Sequence, residues 1–409
     1  MNATRRGIIG AATAAVIARP LWAQTAKNTK PIRIGVLTDL SGTYRDICGP
    51  TGIACVRQAV QEFTAGKDMN VAVLTADFQE KPDVGAAIAR QWFDQDGVDA
   101  IVDLTNSAVA LAVSNVAREK NKVALVTGAA VSAVTGKQCS PNTVHWTYDT
   151  WMLAHSTGSK TLEAGGKTWF LIAPDYAFGH SLAGDTASAV VAGGGAVWGS
   201  VSYPFPETTD FSGPLAQAQG SGAQVLGLCN GGRDLVNSLK QADEFRLRQK
   251  MRVTGLLIFT QIVRAVGLPI AQGLYLTETF YWDLNDRTRA FADRIRPKTP
   301  DNWPSMIQAG DYAATLHYLK AVTDMGVAAA KADGGAVVAR MKTMPTDDDC
   351  FGPGTIREDG RTLHPAYLFE VKSPAESRHD WDFYKLVATT PAEKAFRSLS
   401  EGGCPLVHI

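Results

Sequence analysis

Two successive series of strand signals, with helical signals between nearly all of them, constrain this chain more than any other feature. The first series runs 32–38 (IRIGVLT), 70–76 (NVAVLTA), 100–104 (AIVDL) and 122–128 (KVALVTG). After His145-Trp146-Thr147-Tyr148-Asp149 it restarts with 168–173 (TWFLIA), 196–203 (AVWGSVSY), 223–229 (AQVLGLC) and 252–259 (RVTGLLIF). β-Branched and aliphatic runs of this length read as buried strands. Amphipathic periodicity over 84–95, 107–120, 180–192 and 231–247 supplies helices between them. Strands joined through helices imply parallel sheets with right-handed crossovers, so the expected class is α/β with two doubly wound lobes.

The rest of the chain does not fit two simple beads. Segment 273–282 (GLYLTETFYW) is another strand candidate, followed by helices near 286–296, 306–326 and 334–343. Two β segments, 364–372 and 381–390, then flank a Ser-Pro-rich charged turn. A return to helix after two complete series implies that the chain crosses back. The expected division is 31–148 plus 278–363 in lobe I and 149–277 plus 364–409 in lobe II, with hinge crossovers near 149, 277 and 363.

Residues 1–23 read as an export signal. Arg5-Arg6 precede an apolar stretch from Ile8 to Ala18, and Leu21-Trp22-Ala23 offers a cleavage site. The apolar stretch is shorter than the roughly 20 residues a bilayer span needs. Both the general and the twin-arginine export routes suit this segment. Basic and acidic residues balance at 40 each, and loss of the signal leaves 37 basic against 40 acidic. Nothing in that balance points to nucleic acid. The six cysteines form no CxxC pair and no metal-ligand spacing with histidine, so neither metal nor cofactor is expected. Cys229 lies in an apolar strand and reads as a buried thiol, whereas Cys350 and Cys404 fall in loop-like surroundings and are the expected bridge.

The loops that end the strands carry the functional signal, because open α/β sheets hold ligands beyond the carboxyl ends of their strands. Asp39-Leu40-Ser41-Gly42-Thr43-Tyr44 follows the first strand and lacks any phosphate-cradling motif. Leu104-Thr105-Asn106-Ser107 follows the third, and Thr127-Gly128-Ala129-Ala130-Val131-Ser132 the fourth. In the second series come Asp175-Tyr176-Ala177-Phe178-Gly179 and Asn230-Gly231-Gly232-Arg233-Asp234. In order and spacing these five segments resemble the periplasmic solute-binding proteins of ABC importers, in their Leu/Ile/Val-binding branch. The resemblance covers essentially the whole chain after the signal. It implies a type I lobe topology, a small ligand caught between lobes, a permease partner in the inner membrane and a periplasmic location. A monomer is expected.

Within that frame, Asn106, Ser107, Ala129 and Ser132 are the expected donors to a ligand carboxylate. Asn106 and Ser107 stand where a helix begins, so free N–H groups and the helix dipole face an anion, although Ser107 and Ser132 also suit simple capping. Ala129 would act through its backbone. Tyr44, Tyr148, Trp151, Phe178 and Tyr281 are the aromatic candidates, each with ordinary core packing as the alternative. Arg233 could meet an anionic group or merely close its turn. Amino-acid-binding relatives place an acidic residue shortly after the strand matching 252–259, whereas Leu256-Leu257-Ile258-Phe259-Thr260-Gln261 has none. An ammonium buried without a partner is costly. Asp149 could supply that charge, but a hydrophobic or aromatic carboxylate is the simpler expectation, with a branched-chain or neutral amino acid as the alternative and a ligand-sensing module as another. Gly179-His180-Ser181-Leu182-Ala183 loosely matches a hydrolase elbow, but five or more residues separate it from the preceding strand, which argues against an enzyme.

Overall fold

The structure, a computed structural model, describes residues 31–408. The expected export signal at 1–23 lies outside the described residues. Five parallel strands form the first sheet: β1 (Ile32–Thr38), β2 (Val71–Asp77), β3 (Ala100–Asp103), β4 (Val123–Val126) and β5 (Thr143–His145), in the order β2-β1-β3-β4-β5. The second sheet repeats the pattern with β6 (Thr168–Pro174), β7 (Ala196–Tyr203), β8 (Val225–Leu228) and β9 (Arg252–Gly255), ordered β7-β6-β8-β9 and again parallel. β1, β3, β4 and β5 are buried throughout or nearly so, as strands covered by helices on both faces must be. The order in each sheet reverses between its first and third strands, which places the crevices at the ends of β1 and β6.

Helix α1 (Gly49–Thr64) buries Ile53, Cys55, Val56, Ala59 and Phe63. It packs against α5 (Met306–Met325), whose start is closed by a reciprocal Ser305–Gln308 capping box. That pairing brings the helix at Met306–Met325 back against the helix that follows β1. The three other helices that matter for the junction are α2 (Ser107–Glu119), α3 (Ala177–Ala192) and α4 (Gly232–Glu244).

The second lobe carries a further antiparallel layer built from β10 (Tyr275–Glu278), β13 (Ala366–Val371) and β14 (Tyr384–Thr390). Between them, β11 (Thr355–Ile356) and β12 (Thr362–Leu363) make a short hairpin. Several strands are shorter than their apolar runs. β9 stops at Gly255, and Leu256–Phe259 leads into a helix beginning at Thr260.

The disulfide corrects the expected pairing. Cys404 bonds to Cys139, with Cα atoms 5.6 Å apart, while Cys350 is a buried free thiol. Asp348 accepts the N–H groups of Cys350 and Phe351, and this tight turn buries a residue whose sequence surroundings looked like an exposed loop. Cys229 is buried and free, and burial pushes its thiol up to about 12. The bridge also ties the last residues to the segment that follows β4. Arg397 donates to Ser132 O at 3.0 Å and Arg357 donates to Arg397 O at 2.8 Å, so the tail beyond the third layer packs against that same segment.

Candidate functional site

At the end of β1 the buried Asp39 carboxylate accepts the N–H groups of Ser41, Gly42 and Tyr44. Three such bonds fold the loop back on itself and aim Tyr44 across the gap between the lobes. The Tyr44 hydroxyl lies 2.5 Å from that of Tyr176, and its ring stacks on Phe205 at 5.8 Å. Tyr176 in turn stacks on Phe205 at 4.4 Å and packs beside Phe178. Tyr148 meets the edge of Phe259 and donates to Gly128 O. Tyr44 and Phe178 are each only 3% exposed, so the rings close against one another.

Polar contacts fasten the same junction on both sides of the aromatics. On one side the backbone N–H of Arg233 donates to Thr43 O at 3.0 Å, and its guanidinium donates to Gly42 O at 2.6 Å. Asp234 accepts from Thr43 across the gap and from Tyr203 within its own lobe. Gly232 makes this approach feasible. Its φ is +58°, and a Cβ there would stand 2.4 Å from Thr43 O. On the other side Ser132 reaches Ser181 and Asp185, both on α3. Cavities of about 380 and 350 Å³ open at the rim beside Ser41, Gly42, Thr43 and Arg233.

The expected site residues divide accordingly. Tyr44, Ser132, Phe178 and Arg233 come together where the lobes meet, with Tyr148 behind them. Asn106 caps α2, its side-chain oxygen accepting from Ala108 and Val109, while Ser107 buries a hydroxyl that has no partner. Ala129 accepts from His145 through its carbonyl. Asp149 is otherwise occupied: it caps a turn through Met152 N and lies 3.5 Å from Arg361. Trp151 stacks on His155 and is half-buried. Tyr281 donates to Trp381 O and packs with Phe369 and Tyr384 in the antiparallel layer, away from this cluster. Ser181 sits inside the first turns of α3 with Thr150 and Ser132 as neighbours, not on a strand-to-helix turn.

Sequence reasoning missed Glu80, Tyr176, Phe205 and Asp234. All four follow closely on the carboxyl ends of strands (β2, β6, β7 and β8), and that position was the available signal. The four are also part of an unusually acidic junction. Burial raises Asp234 to about 6, against the lowering effect of the Tyr203 and Thr43 hydroxyls. Burial, then the neighbouring Asp39, pushes Glu80 well above the usual carboxylate range.

Behind the site, Asp103 and Asp311 converge on Gly52, where a Cβ would stand 2.5 Å from Asp311 Oδ2 and 3.3 Å from Asp103 Oδ2. Thr105 donates to Asp103 and Thr127 to Asp311, and each acid keeps one buried oxygen without a donor. Burial raises both, helped by the Asp39 charge at Asp103, which reaches about 7, and by the Asp103 charge at Asp311. The native state therefore holds a proton that the unfolded chain releases near 3.8, and stability from this pair falls as pH rises from about 4 through about 7. Asp311→Asn keeps an acceptor for Thr127 and offers Asp103 a donor. The expected result is a variant more stable than wild type at pH 8, on the order of 1–2 kcal/mol, with little difference at pH 5. Urea titrations at both values check this, and a variant that is weaker at pH 8 refutes the shared proton.

The chain matches the periplasmic binding protein family over residues 31–377. It is similar to a periplasmic binding protein from Burkholderia mallei, with 44% identity, a TM-score of 0.88, and coverage of 92% of this chain and 99% of the other. A branched chain amino acid ABC transporter periplasmic ligand-binding protein from Burkholderia xenovorans shares 40% identity and a TM-score of 0.79, over 92% and 99% of the two chains. A Leu/Ile/Val-binding protein homologue from Brucella abortus is 25% identical over 204 residues, 49% of this chain and 51% of its own. The alignment thus spans about half the length of the curated relatives it matches.

Proposed function

This chain belongs to the periplasmic binding protein family, and from that premise we propose that it captures a small hydrophobic or aromatic carboxylate between its lobes and delivers it to an inner-membrane permease of an ABC importer. The observation that carries this reading is the aromatic cluster built from both lobes, in which Tyr44 meets Tyr176 and Phe205 beside the capped start of α2. Flat apolar walls suit a ring or branched chain. The N-terminus of α2, with the partnerless Ser107 hydroxyl, suits an anionic end. Ligand enters between open lobes, and closure then engages the Arg233 and Asp234 contacts with the Thr43 loop. Export through the signal at 1–23 delivers the protein to the periplasm, by the general or the twin-arginine route. Binding without chemistry is the role.

Glu80 favours one second reading. Its buried carboxyl offers the anionic partner that the segment after β9 lacks, so a branched-chain or other neutral amino acid fits a deprotonated Glu80. The name of the Burkholderia xenovorans relative points the same way.

A thermal-shift panel separates them. Ligand at 100 times its dissociation constant adds about 2.7 kcal/mol of stability, enough to raise the melting temperature by several degrees. Benzoate, phenylacetate or a related acid is expected to raise it more than leucine, valine or phenylalanine does. A panel in which only amino acids act establishes the second reading instead.

A further inference from the structure

We infer that Glu80 is the specificity-determining contact of this site and that it meets the ligand's carboxylate as a hydrogen-bond donor. The inference rests on the acid-binding reading above and concerns a residue outside the recognised family motifs.

Glu80 follows the end of β2 in a turn where Gln79 and Glu80 both have left-handed backbone angles, φ 55° and 56°. That conformation is unfavourable for residues with a Cβ. It turns the Glu80 side chain inward, where the residue is 8% exposed. Oε2 accepts from Asn106 Nδ2 at 2.6 Å. Oε1 is buried and receives no donor. Asn106 is held rigidly for this task, since its other side-chain atom caps α2 through two N–H groups. Ser107, the next residue, contributes the second buried atom without a partner. Two unsatisfied oxygens therefore flank one locked amide at the start of a 13-residue helix.

The charges around Glu80 decide which form it takes. Asp39, Asp77 and Tyr44 face it from the first lobe, and Tyr176, Arg233 and Asp234 from the second. Asp39 already accepts three backbone N–H groups, so both of its oxygens are committed as acceptors. Arg233 lies at the rim with its guanidinium on Gly42 O. Glu80, which burial holds well above the usual carboxylate range and whose Oε1 no donor satisfies, is the acid of the two that keeps a proton. Oε2 is occupied by Asn106, so that proton sits on Oε1. Asp39 is near enough to share it. An incoming carboxylate provides a second acceptor, and its own charge holds the proton on Glu80 more firmly. An anion is thus bound without a buried Arg or Lys, and binding weakens as Glu80 ionises.

Glu80→Gln and Glu80→Ala separate this role from its alternatives, with calorimetric dissociation constants for benzoate, phenylacetate and leucine at pH 6 and pH 8. For the acid that binds, wild-type affinity is expected to fall at least about threefold as pH rises through the titration of the Glu80 carboxyl, followed by its ¹³C resonance. Glu80→Gln keeps an N–H donor, so it stays within about threefold of wild type at pH 6 and loses the pH dependence. Glu80→Ala binds at least about tenfold more weakly than wild type at pH 6, as expected for a lost bond to a charged group. Two results overturn the inference while leaving acid binding intact: equal affinities in all three proteins, or a ¹³C carboxyl resonance of Glu80 in the empty wild type that titrates in the ordinary glutamate range. A Glu80→Gln variant that loses leucine binding tenfold, with wild-type affinity rising toward pH 8, assigns Glu80 to an ammonium and also overturns it. Failure of every probe to bind wild type removes the acid-binding reading and this inference together.

Discussion

Replacing Arg361 with methionine is expected to cost about 3–5 kcal/mol of stability, read as a lower urea midpoint at unchanged slope. Arg361 is fully buried. Its guanidinium donates to His145 O at 2.5 Å and to Tyr148 O at 3.3 Å, lies 3.5 Å from Asp149 and sits 4.5 Å over the Phe396 ring. The backbone follows the same path, with His145 N donating to Gly360 O. One side chain thereby fastens the returning segment to the first passage between the lobes. Burial lowers Arg361 to about 10, which still leaves it charged at neutral pH. Methionine fills much of the volume but leaves the Asp149 carboxylate without its cation and two carbonyls without donors. The double variant with Asp149→Asn is expected to recover part of the loss, since the uncompensated charge goes with it. A loss under 1 kcal/mol refutes this fastening role, and so does strict additivity of the two substitutions.

The regular elements were legible because their periodicity is strong. β1, α2, α5 and β7 fall within a residue or two of the apolar runs that announce them. β5 escaped notice because three residues, Thr143–His145, make no pattern. At the junction, Tyr44, Phe178 and Arg233 were legible through the loops that carry them. Phe205 was not, although it stands between Pro204 and Pro206 just past the end of β7, the same position in the second lobe's topology that Glu80 occupies after β2 in the first. A rule about carboxyl ends of strands finds such residues only when it is applied to every strand, including those without a familiar motif. Tyr281 illustrates the converse. It follows a strand, but β10 pairs antiparallel with β13, so its end does not open on a crevice between crossovers. The acids were the least legible. Asp39, Asp103 and Asp311 look like ordinary polar residues, and only the convergence of distant segments makes them buried neighbours.

The disulfide shows the same dependence on distant contacts and carries the other large effect. The bridge closes a loop between residues 265 apart in sequence, and cross-linking so long a loop removes about 5 kcal/mol of chain entropy from the unfolded state, an upper figure because real unfolded chains are compact. Cys139→Ser with Cys404→Ser is therefore expected to lose about 2–5 kcal/mol. The loss is not confined to the unfolded state. Cys139 follows the short turn Ser132–Thr135, and the tail that the bridge anchors carries Arg397, which donates to Ser132 O. Ser132 in turn touches Ser181 and Asp185 on the opposite lobe. Freeing the tail loosens one of the two polar contacts that flank the aromatic cluster, so ligand affinity is expected to fall along with the melting temperature. Dithiothreitol should reproduce both losses in the wild type and leave the double serine variant unchanged. Cys350→Ser keeps the bridge and serves as the contrast, with its reductant sensitivity intact. If Cys350→Ser abolishes that sensitivity and Cys404→Ser does not, the pairing is between other residues and the tail is not what steadies Ser132.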